Sequence, residues 1–265
     1  MNVAGRTILL TGATGGIGAA IARAAVARGA ALVLTGRQAD VLDALAAEVR
    51  GRAIVADLAE PGAAAALAEQ AGPVDVLIAN AALPASGPVL EYTPEQIDRS
   101  VGVNLTVPIQ LARALAPGMV ERGAGHVVFM SSLSGKAATP GTSLYSATKF
   151  GLRGFASGLR QDLHGTGVGV STVFPGFVRD AGMFHDTGTR LPKWVGTVSP
   201  GDVAESTLRA IEHDRAETDV APFGLRAGSA FASLFPEAAA RLARRLGSDV
   251  VSRRMGSSEA HRSRR

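Results

Sequence analysis

The 265-residue sequence contains no cysteine. This absence excludes a disulfide framework, a thiolate metal site and a cysteine nucleophile, and it fits a reducing cytoplasm. The sequence also lacks an apolar run of the roughly 18 residues that a membrane span needs, and nothing after Met1 resembles a secretory signal peptide. We therefore expect a cytoplasmic protein that has no membrane span and binds no metal.

Lysine is almost as scarce as cysteine. The 27 basic residues comprise 24 arginines and only three lysines, Lys136, Lys149 and Lys193. Arginine would be expected wherever positive charge alone is needed. A lysine in this chain therefore suggests a particular chemical demand, unless it stands there by chance.

Positive charge is concentrated near the end of the chain. From Glu237 onward there are eight arginines and three acids, whereas the preceding residues are nearly neutral in sum. A basic terminus could contact an anionic lipid surface or a nucleic acid, but such charge runs are usually solvated. We expect residues 251–265 to be a basic, disordered tail, and we expect no nucleic-acid partner.

Short apolar runs rich in Val, Ile and Leu recur without alternating in polarity, which predicts parallel strands that are buried on both faces. The runs span residues 7–11, 31–35, 52–56, 74–79, 126–131 and 168–174. Helix-length segments separate them, such as 16–29 with Gly29 at its C′ position. Later elements are expected at about 201–213 (helix), 217–221 (strand) and 236–247 (amphipathic helix). This alternation predicts an α/β protein with a Rossmann-like, doubly wound parallel sheet, helices on both faces, and a single domain over residues 1–250.

Residues 175–200 are long for a connection within a compact domain, which favours a substrate-binding loop. Their apolar side chains could line a pocket for lipid-like, steroid-like or aromatic carbonyl compounds. They could equally pack against the protein's own body or a subunit partner. Both interpretations stay open for Met183, Phe184, Leu191, Trp194 and Val195.

The stretch TGATGGIG, residues 11–18, stands between the first predicted strand and the first predicted helix. Gly12, Gly16 and Gly18 would let the backbone turn sharply and approach a pyrophosphate. The helix N-terminus would supply free N–H groups and a partial positive charge. The chain has 32 glycines, so a cluster alone means little, but this position predicts a dinucleotide site.

The end of the second strand indicates which dinucleotide binds. NAD enzymes of this architecture place an acid there, about 20 residues past the glycines, to accept from the ribose 2′-hydroxyl. Here Gly36 and Arg37 follow the strand, and the nearest acid, Asp40, is explained as a first-turn residue of the next helix. Arg37 would pair with the 2′-phosphate of NADP, unless it is only a solvated surface residue. We expect NADP, with NAD left open.

Tyr145 and Lys149 are four residues apart on a predicted helix, so their side chains share one face. An ammonium beside a phenol favours the phenolate, which suits a tyrosine that transfers a proton. The wide planar guanidinium of arginine would be a poor substitute for a compact ammonium that must approach both the tyrosine and a ribose hydroxyl. The pair supplies the chemical demand for a lysine at position 149.

Together these motifs resemble those of the short-chain dehydrogenase/reductase family, of the compact single-domain type, over roughly residues 5–215. The matches are TGATGGIG at 11–18, Asn80-Ala81-Ala82 after the fourth strand, Asn104 in VNL, Ser132 in SSLSG, YSATK at 145–149 and Pro175-Gly176. Six motifs in the family's order make coincidence a poor explanation.

The resemblance implies an NADP(H)-dependent oxidoreductase that transfers a hydride between the nicotinamide and a carbonyl or alcohol substrate, as a homodimer or homotetramer. Ser132 would polarise the carbonyl or alcohol, Tyr145 would be the general acid/base, and Lys149 would hold the nicotinamide ribose. Asn104 would hold a water in a proton relay, and Asp57 would contact the adenine ring. The implied cofactor-binding residues are Gly12, Thr14, Gly16, Ile17, Gly18, Arg37, Asp57, Leu58, Asn80, Tyr145, Lys149, Pro175, Gly176 and Val178.

Several of these assignments have simpler alternatives. Ser132 could cap the end of a strand while Ser131 is the catalytic serine. Asn104 could mark a bend in a helix. Asn80 and Asp57 could each serve only to form a turn.

Two features depart from the family pattern. Asp180 stands where a threonine often contacts the nicotinamide carboxamide, and an aspartate can accept from the amide NH₂ but cannot donate to its carbonyl oxygen. The chain also has an extended, arginine-rich C-terminus in place of a glycine-rich last strand.

Two other functions remain as alternatives. An extended-type nucleotide-sugar epimerase or dehydratase shares Tyr-x-x-x-Lys, but it needs a larger substrate domain than the residues after Phe174 readily supply. A dinucleotide-binding sensor without turnover would not need Ser132, Tyr145 and Lys149 together.

Overall fold

The computed structural model describes residues 1–180 and 195–245. Seven parallel strands form one sheet in the order β3-β2-β1-β4-β5-β6-β7. The strands are β1 Thr7–Thr11, β2 Ala31–Gly36, β3 Arg52–Val55, β4 Val76–Ala79, β5 Gly125–Met130, β6 Val168–Pro175 and β7 Glu217–Val220. The Rossmann-like, doubly wound sheet predicted from the apolar runs is confirmed.

The helices lie on both faces of this sheet. They are α1 Gly16–Val26, α2 Ala39–Glu48, α3 Ala63–Ala71, α4 Pro94–Val101, α5 Val107–Glu121, α6 Ser143–Asp162, α7 Pro200–Glu212, α8 Phe223–Leu234 and α9 Pro236–Arg245. Ile8 and Leu10 of β1 belong to the core formed with α1, α2 and α7, whereas Leu9 belongs to the core formed with α3, α5 and α6. All three side chains are fully buried, which explains why the middle of the strand is apolar at successive positions and does not alternate in polarity.

Local sequence signals set several helix ends. Thr93 and Ser199 begin α4 and α7 with capping boxes, each followed by a proline at the first helical position. Asp40 lies in the first turn of α2, as expected. α1 ends at Val26, three residues before the predicted end, and Gly29 adopts a left-handed φ of +80° just beyond it.

The sequence patterns do not predict α8. Its two interior glycines, Gly224 and Gly228, lower helix propensity, and its largest apolar residues, Phe223 and Leu234, are exposed instead of facing a core. The usual signal of a helix, an apolar stripe that packs inward, is therefore weak in this segment.

Some predictions fall on residues that the structure does not describe. Met183, Phe184, Leu191 and Trp194 of the predicted substrate loop lie outside the described residues, as do Lys193 and the predicted tail over 251–265. Val195 is described and is partly buried. The two described parts of the loop, residues 175–180 and 195–200, are joined by a parallel bridge between Val178 and Val198. The single domain over 1–250 stays a prediction.

No helix within residues 1–180 and 195–245 is both long and apolar enough to cross a membrane.

Candidate active site

The candidate residues collect at the carboxyl edge of the sheet. All parallel strands end at the same edge, and a crevice opens there between β1 and β4, where the strand order reverses. Gly12 follows β1, Arg37 follows β2, Asn80 follows β4, Ser132 follows β5 and Gly176 follows β6. Residues that are far apart in sequence therefore border one crevice.

The glycine loop after β1 is closely packed. Gly12 has a φ of +64°, and a Cβ on it would lie 2.8 Å from the Cα of Ala81. A Cβ on Gly18 would overlap the carbonyl oxygen of Gly12. α1 begins at Gly16, directly after Gly15, and it has no side-chain cap and no acid in its first turn. The first N–H groups of α1 thus keep the capacity to bind an anion.

Asn80 ties the glycine loop to β4. Its Nδ2 donates to the carbonyl oxygens of Thr11 and Gly12, at 3.0 and 3.1 Å. In return, the Thr11 hydroxyl oxygen accepts from the backbone N–H groups of Asn80 and Ala81, at 3.0 and 2.9 Å. Asn80 therefore does form and support this turn, and Thr11 is a supporting residue that the sequence analysis missed.

Arg37 is exposed directly beyond the end of β2. The neighbouring Gly36 packs against Thr14, since a Cβ on Gly36 would lie 2.9 Å from the Thr14 Cγ2. An acid at position 36, as NAD enzymes require, would therefore force Thr14 to move. This contact joins the predicted cofactor-binding residue Thr14 to the neighbour of Arg37, which the sequence separation does not reveal.

The remaining cofactor candidates also serve the fold. The Oδ1 of Asp57 accepts from the Ala59 N–H at 3.0 Å, which stabilises the turn after β3. Leu58 and Val178 are buried, and Ile17 packs partly buried against the core. A ligand could reach Leu58 and Val178 mainly through their backbone groups.

Ser131 and Ser132, just beyond β5, have different surroundings. Ser131 is buried, and its hydroxyl donates to the Lys149 carbonyl oxygen at 3.1 Å, which fastens α6 to this loop. Ser132 is partly exposed, and its Oγ accepts from the Ser134 N–H at 3.1 Å, capping a 3-10 turn. An accepted bond leaves the hydroxyl hydrogen available for donation. Ser132 can therefore both cap the turn and donate a hydrogen bond to the substrate. Ser131 is buried and so cannot contact the substrate.

Lys149 and Tyr145 lie on the same face of α6. The Lys149 ammonium is 5.5 Å from the centroid of the Tyr145 ring and donates to the Met130 carbonyl oxygen at 2.9 Å. The Lys149 side chain is buried, and this burial lowers the pKa of Lys149 to about 8. Because that pKa is still above 7, the ammonium form predominates at neutral pH and places a cation beside the partly exposed Tyr145.

Asn104 lies on a π-helical turn, Gly102–Thr106, between α4 and α5. Its Oδ1 accepts from the Leu83 N–H at 2.6 Å, and its Nδ2 donates to the Leu83 carbonyl oxygen at 2.9 Å. Asn104 therefore lies at a helix irregularity, a π turn, which is related to the bend given above as the alternative to its catalytic role. The two bonds to Leu83 hold the buried Asn104 side chain in place and use one acceptor position and one N–H of its amide. That Asn104 holds the water of the predicted relay stays a prediction.

The turn after β6 approaches β7 closely. A Cβ on Gly176 would lie 2.9 Å from the Cβ of Ala221, so a larger residue at position 176 would push apart the segments that follow β6 and β7. Four residues later, Asp180 adopts a left-handed φ of +65° and lies 3.4 Å from the Arg179 guanidinium. Its effect on a carboxamide contact stays a prediction.

Lys136 closes the loop after β5 and lies in a cluster of charges that the sequence analysis missed. Its Nζ is 2.6 Å from Asp219 and 3.0 Å from Glu217, both on β7, and 4.1 Å from the Phe174 ring centroid. Arg153 of α6 pairs with Glu217 at 2.6 Å. The cluster connects the loop to β7 and α6, and no motif signals it because Lys136 and Asp219 are 83 residues apart.

The chemistry of this edge fits a dinucleotide. A glycine loop without room for a Cβ, an uncapped helix N-terminus and an exposed arginine form the donor set that a pyrophosphate and a 2′-phosphate need. The buried ammonium of Lys149 adds a donor near Tyr145.

Comparison of the sequence with known proteins finds one family of relatives. A family model described as short chain dehydrogenase matches residues 6–191. The ketoacyl reductase HetN of a Nostoc species is 38% identical over 228 residues, which cover 83% of this chain and 79% of that protein. The NADP-dependent 3-hydroxy acid dehydrogenase YdfG of Salmonella typhi is 38% identical over 179 residues, which cover 64% of this chain and 72% of that protein.

A solved structure is similar over nearly the whole fold. A short-chain dehydrogenase from Sphingobium yanoikuyae, in complex with NADPH, superposes with a TM-score of 0.77 at 31% sequence identity. The match covers 92% of this chain and 96% of that chain.

Proposed function

This chain belongs to the short-chain dehydrogenase/reductase family, a family of oxidoreductases that act on CH–OH and C=O groups, and from this premise we propose that it is an NADPH-dependent ketone reductase. HetN is named as a ketoacyl reductase and YdfG as a 3-hydroxy acid dehydrogenase. We therefore propose a substrate with a ketone on an acyl chain.

One observation carries this proposal. The Lys149 ammonium is buried 5.5 Å from the centroid of the Tyr145 ring, and Ser131 fastens the loop that carries Ser132 to the same helix. A sensor or scaffold that binds a dinucleotide without turnover could use Lys149 to hold the ribose, but it has no use for a proton-transferring tyrosine beside that cation. A catalyst that moves a proton through the tyrosine does.

The residues of the site would divide the proton chemistry between them. The Tyr145 hydroxyl would donate its proton to the carbonyl oxygen of the substrate, and the Ser132 hydroxyl would donate a hydrogen bond to that oxygen and so hold it in place. The Lys149 ammonium would stabilise the phenolate that forms on Tyr145. The phenolate would then recover a proton from solvent, with the turn around Asn104 as the proposed position of a relay water.

The cofactor would be held by the glycine loop, Asn80, Lys149 and Arg37. When bound, the nicotinamide supplies the hydride that reduces the carbonyl carbon. The first N–H groups of α1 would bind the pyrophosphate, and Arg37 would bind the 2′-phosphate that distinguishes NADP from NAD.

The substrate class is tested by following NADPH oxidation with a panel of ketones. We expect a medium-chain 3-oxoacyl thioester to be reduced with a kcat/KM at least about tenfold above that of its short-chain analogue, on the interpretation that residues 175–200 supply an apolar pocket in which each added methylene contributes binding. Preference for quinones or nucleotide sugars would redirect the substrate assignment. No turnover with any carbonyl compound would favour the non-catalytic alternative.

Cofactor choice is tested at Arg37. Wild-type protein should bind NADPH at least about tenfold more tightly than NADH, and Arg37→Ala should remove most of this difference, because a charge-assisted contact contributes about 1.5 to 3 kcal/mol. Fluorescence titration with each reduced cofactor measures both affinities. Arg209→Ala, which changes an exposed arginine of α7, is the matched control and should leave the ratio unchanged.

Equal wild-type affinities, or tighter binding of NADH, would show that Arg37 is only a solvated surface residue. A full reversal toward NADH needs Gly36→Asp in addition to Arg37→Ala. Because a side chain at position 36 would meet Thr14, we expect that reversal only when Thr14→Ala is included.

Self-association and location stay predictions. An apolar groove of about 600 Å³ lies between α5 and α6, and Arg113 and Glu121 border it eight residues apart on α5. A second copy related by a two-fold axis could place Arg113 of one chain against Glu121 of the other, so we propose this face for the homodimer. Sedimentation equilibrium would measure the mass of the assembly and so detect the dimer.

The prediction of a cytoplasmic location rests only on the sequence.

A further inference from the structure

Helix α8 carries an exposed apolar stripe. Phe223 is 83% exposed, Leu234 is 74% exposed and Phe231 is 42% exposed. Phe223, the exposed Ala227 and Ala230, and Leu234 follow one another at three or four residues, and Phe231 lies beside Ala230, so all five share one face of the helix. The ring of Phe231 also lies 5.4 Å from that of Phe235, which extends the stripe toward α9. A continuous exposed apolar face of this kind marks a contact surface.

The stripe adjoins an excess of positive charge. No acid occurs between Phe223 and Leu234, and Arg226 is exposed on the same helix. Over the two described helices, residues 223–245, there are four arginines, Arg226, Arg241, Arg244 and Arg245, and one acid, Glu237. The end of the fold therefore combines an apolar surface with a basic sequence.

We propose that α8 and α9 dock this protein on an anionic lipid surface. Helices that lie in a membrane interface place Phe and Leu among the acyl chains while arginines contact anionic headgroups, and this region offers both. A nucleic acid would use the arginines but has no need of a long apolar stripe. A second copy would cover the stripe but would bring two of these positively charged helix pairs together.

Docking would place the candidate active site beside the lipid. The Ser233 hydroxyl of α8 donates to the carbonyl oxygen of Lys136 at 2.7 Å, and Lys136 closes the loop that carries Ser132. A ketone on an acyl chain partitions into a bilayer, so the enzyme would meet such a substrate at the membrane surface. This consequence rests on the proposed function, whereas lipid binding itself does not.

The full-length protein should be tested by co-sedimentation with vesicles. Vesicles of phosphatidylcholine and phosphatidylglycerol in equal parts should bind at least about tenfold more protein than pure phosphatidylcholine vesicles, and added salt should weaken the binding. Protein that sediments with neither kind of vesicle, or equally with both, would overturn the proposal.

The stripe is tested by Phe223→Ser combined with Leu234→Ser. Both side chains are exposed, so thermal stability should be unchanged, and binding to the anionic vesicles should fall at least about tenfold because two apolar insertions are lost. The matched control is Val41→Ser, which removes a 46% exposed valine on α2, beside β2 and so far from β7 in the strand order. The control should bind like wild type.

Three results would reject lipid docking. The first is an equal loss of vesicle binding in the Val41→Ser control. The second is a change from dimer to monomer in the double variant without vesicle binding by wild type. The third is binding to duplex DNA but not to vesicles. Reduction of a water-soluble ketone without vesicles tests the proposed function separately, so either proposal can fail while the other stands.

Discussion

Replacing Tyr145 by phenylalanine should lower turnover by at least about 10²-fold while leaving NADPH affinity nearly unchanged. The substitution removes only the hydroxyl that would donate a proton to the substrate, and it keeps the aromatic ring beside the Lys149 ammonium. The ring can still fill its place on α6. Steady-state kinetics with NADPH and the best ketone of the panel, combined with cofactor titration, measures both quantities.

The chain offers a matched control for this variant, because it contains only two tyrosines. The hydroxyl of the other, Tyr92, donates to the Ser86 carbonyl oxygen at 3.2 Å. Tyr92→Phe should therefore retain activity within a few-fold of wild type. Turnover close to wild type in Tyr145→Phe would remove Tyr145 from the mechanism, even if the protein proved to be a reductase.

Lys149→Arg should also lose at least about 10²-fold in turnover although it keeps the positive charge. The lysine side chain is only 2% exposed, and its Nζ donates to the Met130 carbonyl oxygen at 2.9 Å. A planar guanidinium is too wide for this space and cannot hold the same position relative to Tyr145. The change should lower thermal stability as well, since overpacking a buried site is destabilising.

The same substitution at Lys136 is the control. Lys136 is an ion-pair partner of Asp219 and Glu217, a role that a guanidinium can also fill, so Lys136→Arg should change turnover by only a few-fold. If Lys149→Arg fails to fold, Lys149→Met tests the charge without the larger head group, and it should lose turnover by a comparable factor. Full activity in Lys149→Arg would show that any buried cation suffices.

Continuous apolar runs made the sheet predictable. A central parallel strand is buried on both faces, so β1 and β5 each contain a run of apolar residues that does not alternate in polarity. The predicted bounds of both strands agree with the observed ones within one or two residues. The glycine loop was predictable because its position between strand and helix is itself informative. α8 was not, because its apolar face does not pack inward and periodicity then loses its usual meaning.

Supporting contacts could not be predicted from local patterns. The bonds between Asn104 and Leu83 join residues 21 apart, and the Lys136 cluster spans 83 residues. The scarcity of lysine suggested chemistry at Lys149, yet the equally rare Lys136 lies in an ion cluster. The scarcity of lysine therefore does not tell a lysine with a predicted catalytic role from one in a structural ion pair. What set Lys149 apart was a tyrosine one helical turn before it.

The π-helical turn at Gly102–Thr106 affects how this region tolerates insertions and deletions. An α-helical residue advances about 100° around the axis, so the extra residue of a π turn rotates everything after it by that angle. α4 can therefore pack against α6 while α5, almost continuous with it, packs against α3. Losing one residue here would turn one helix away from its neighbour and Asn104 away from Leu83. In an alignment of related chains, a gap placed at this turn would thus mark a rebuilt site and not merely a shorter helix.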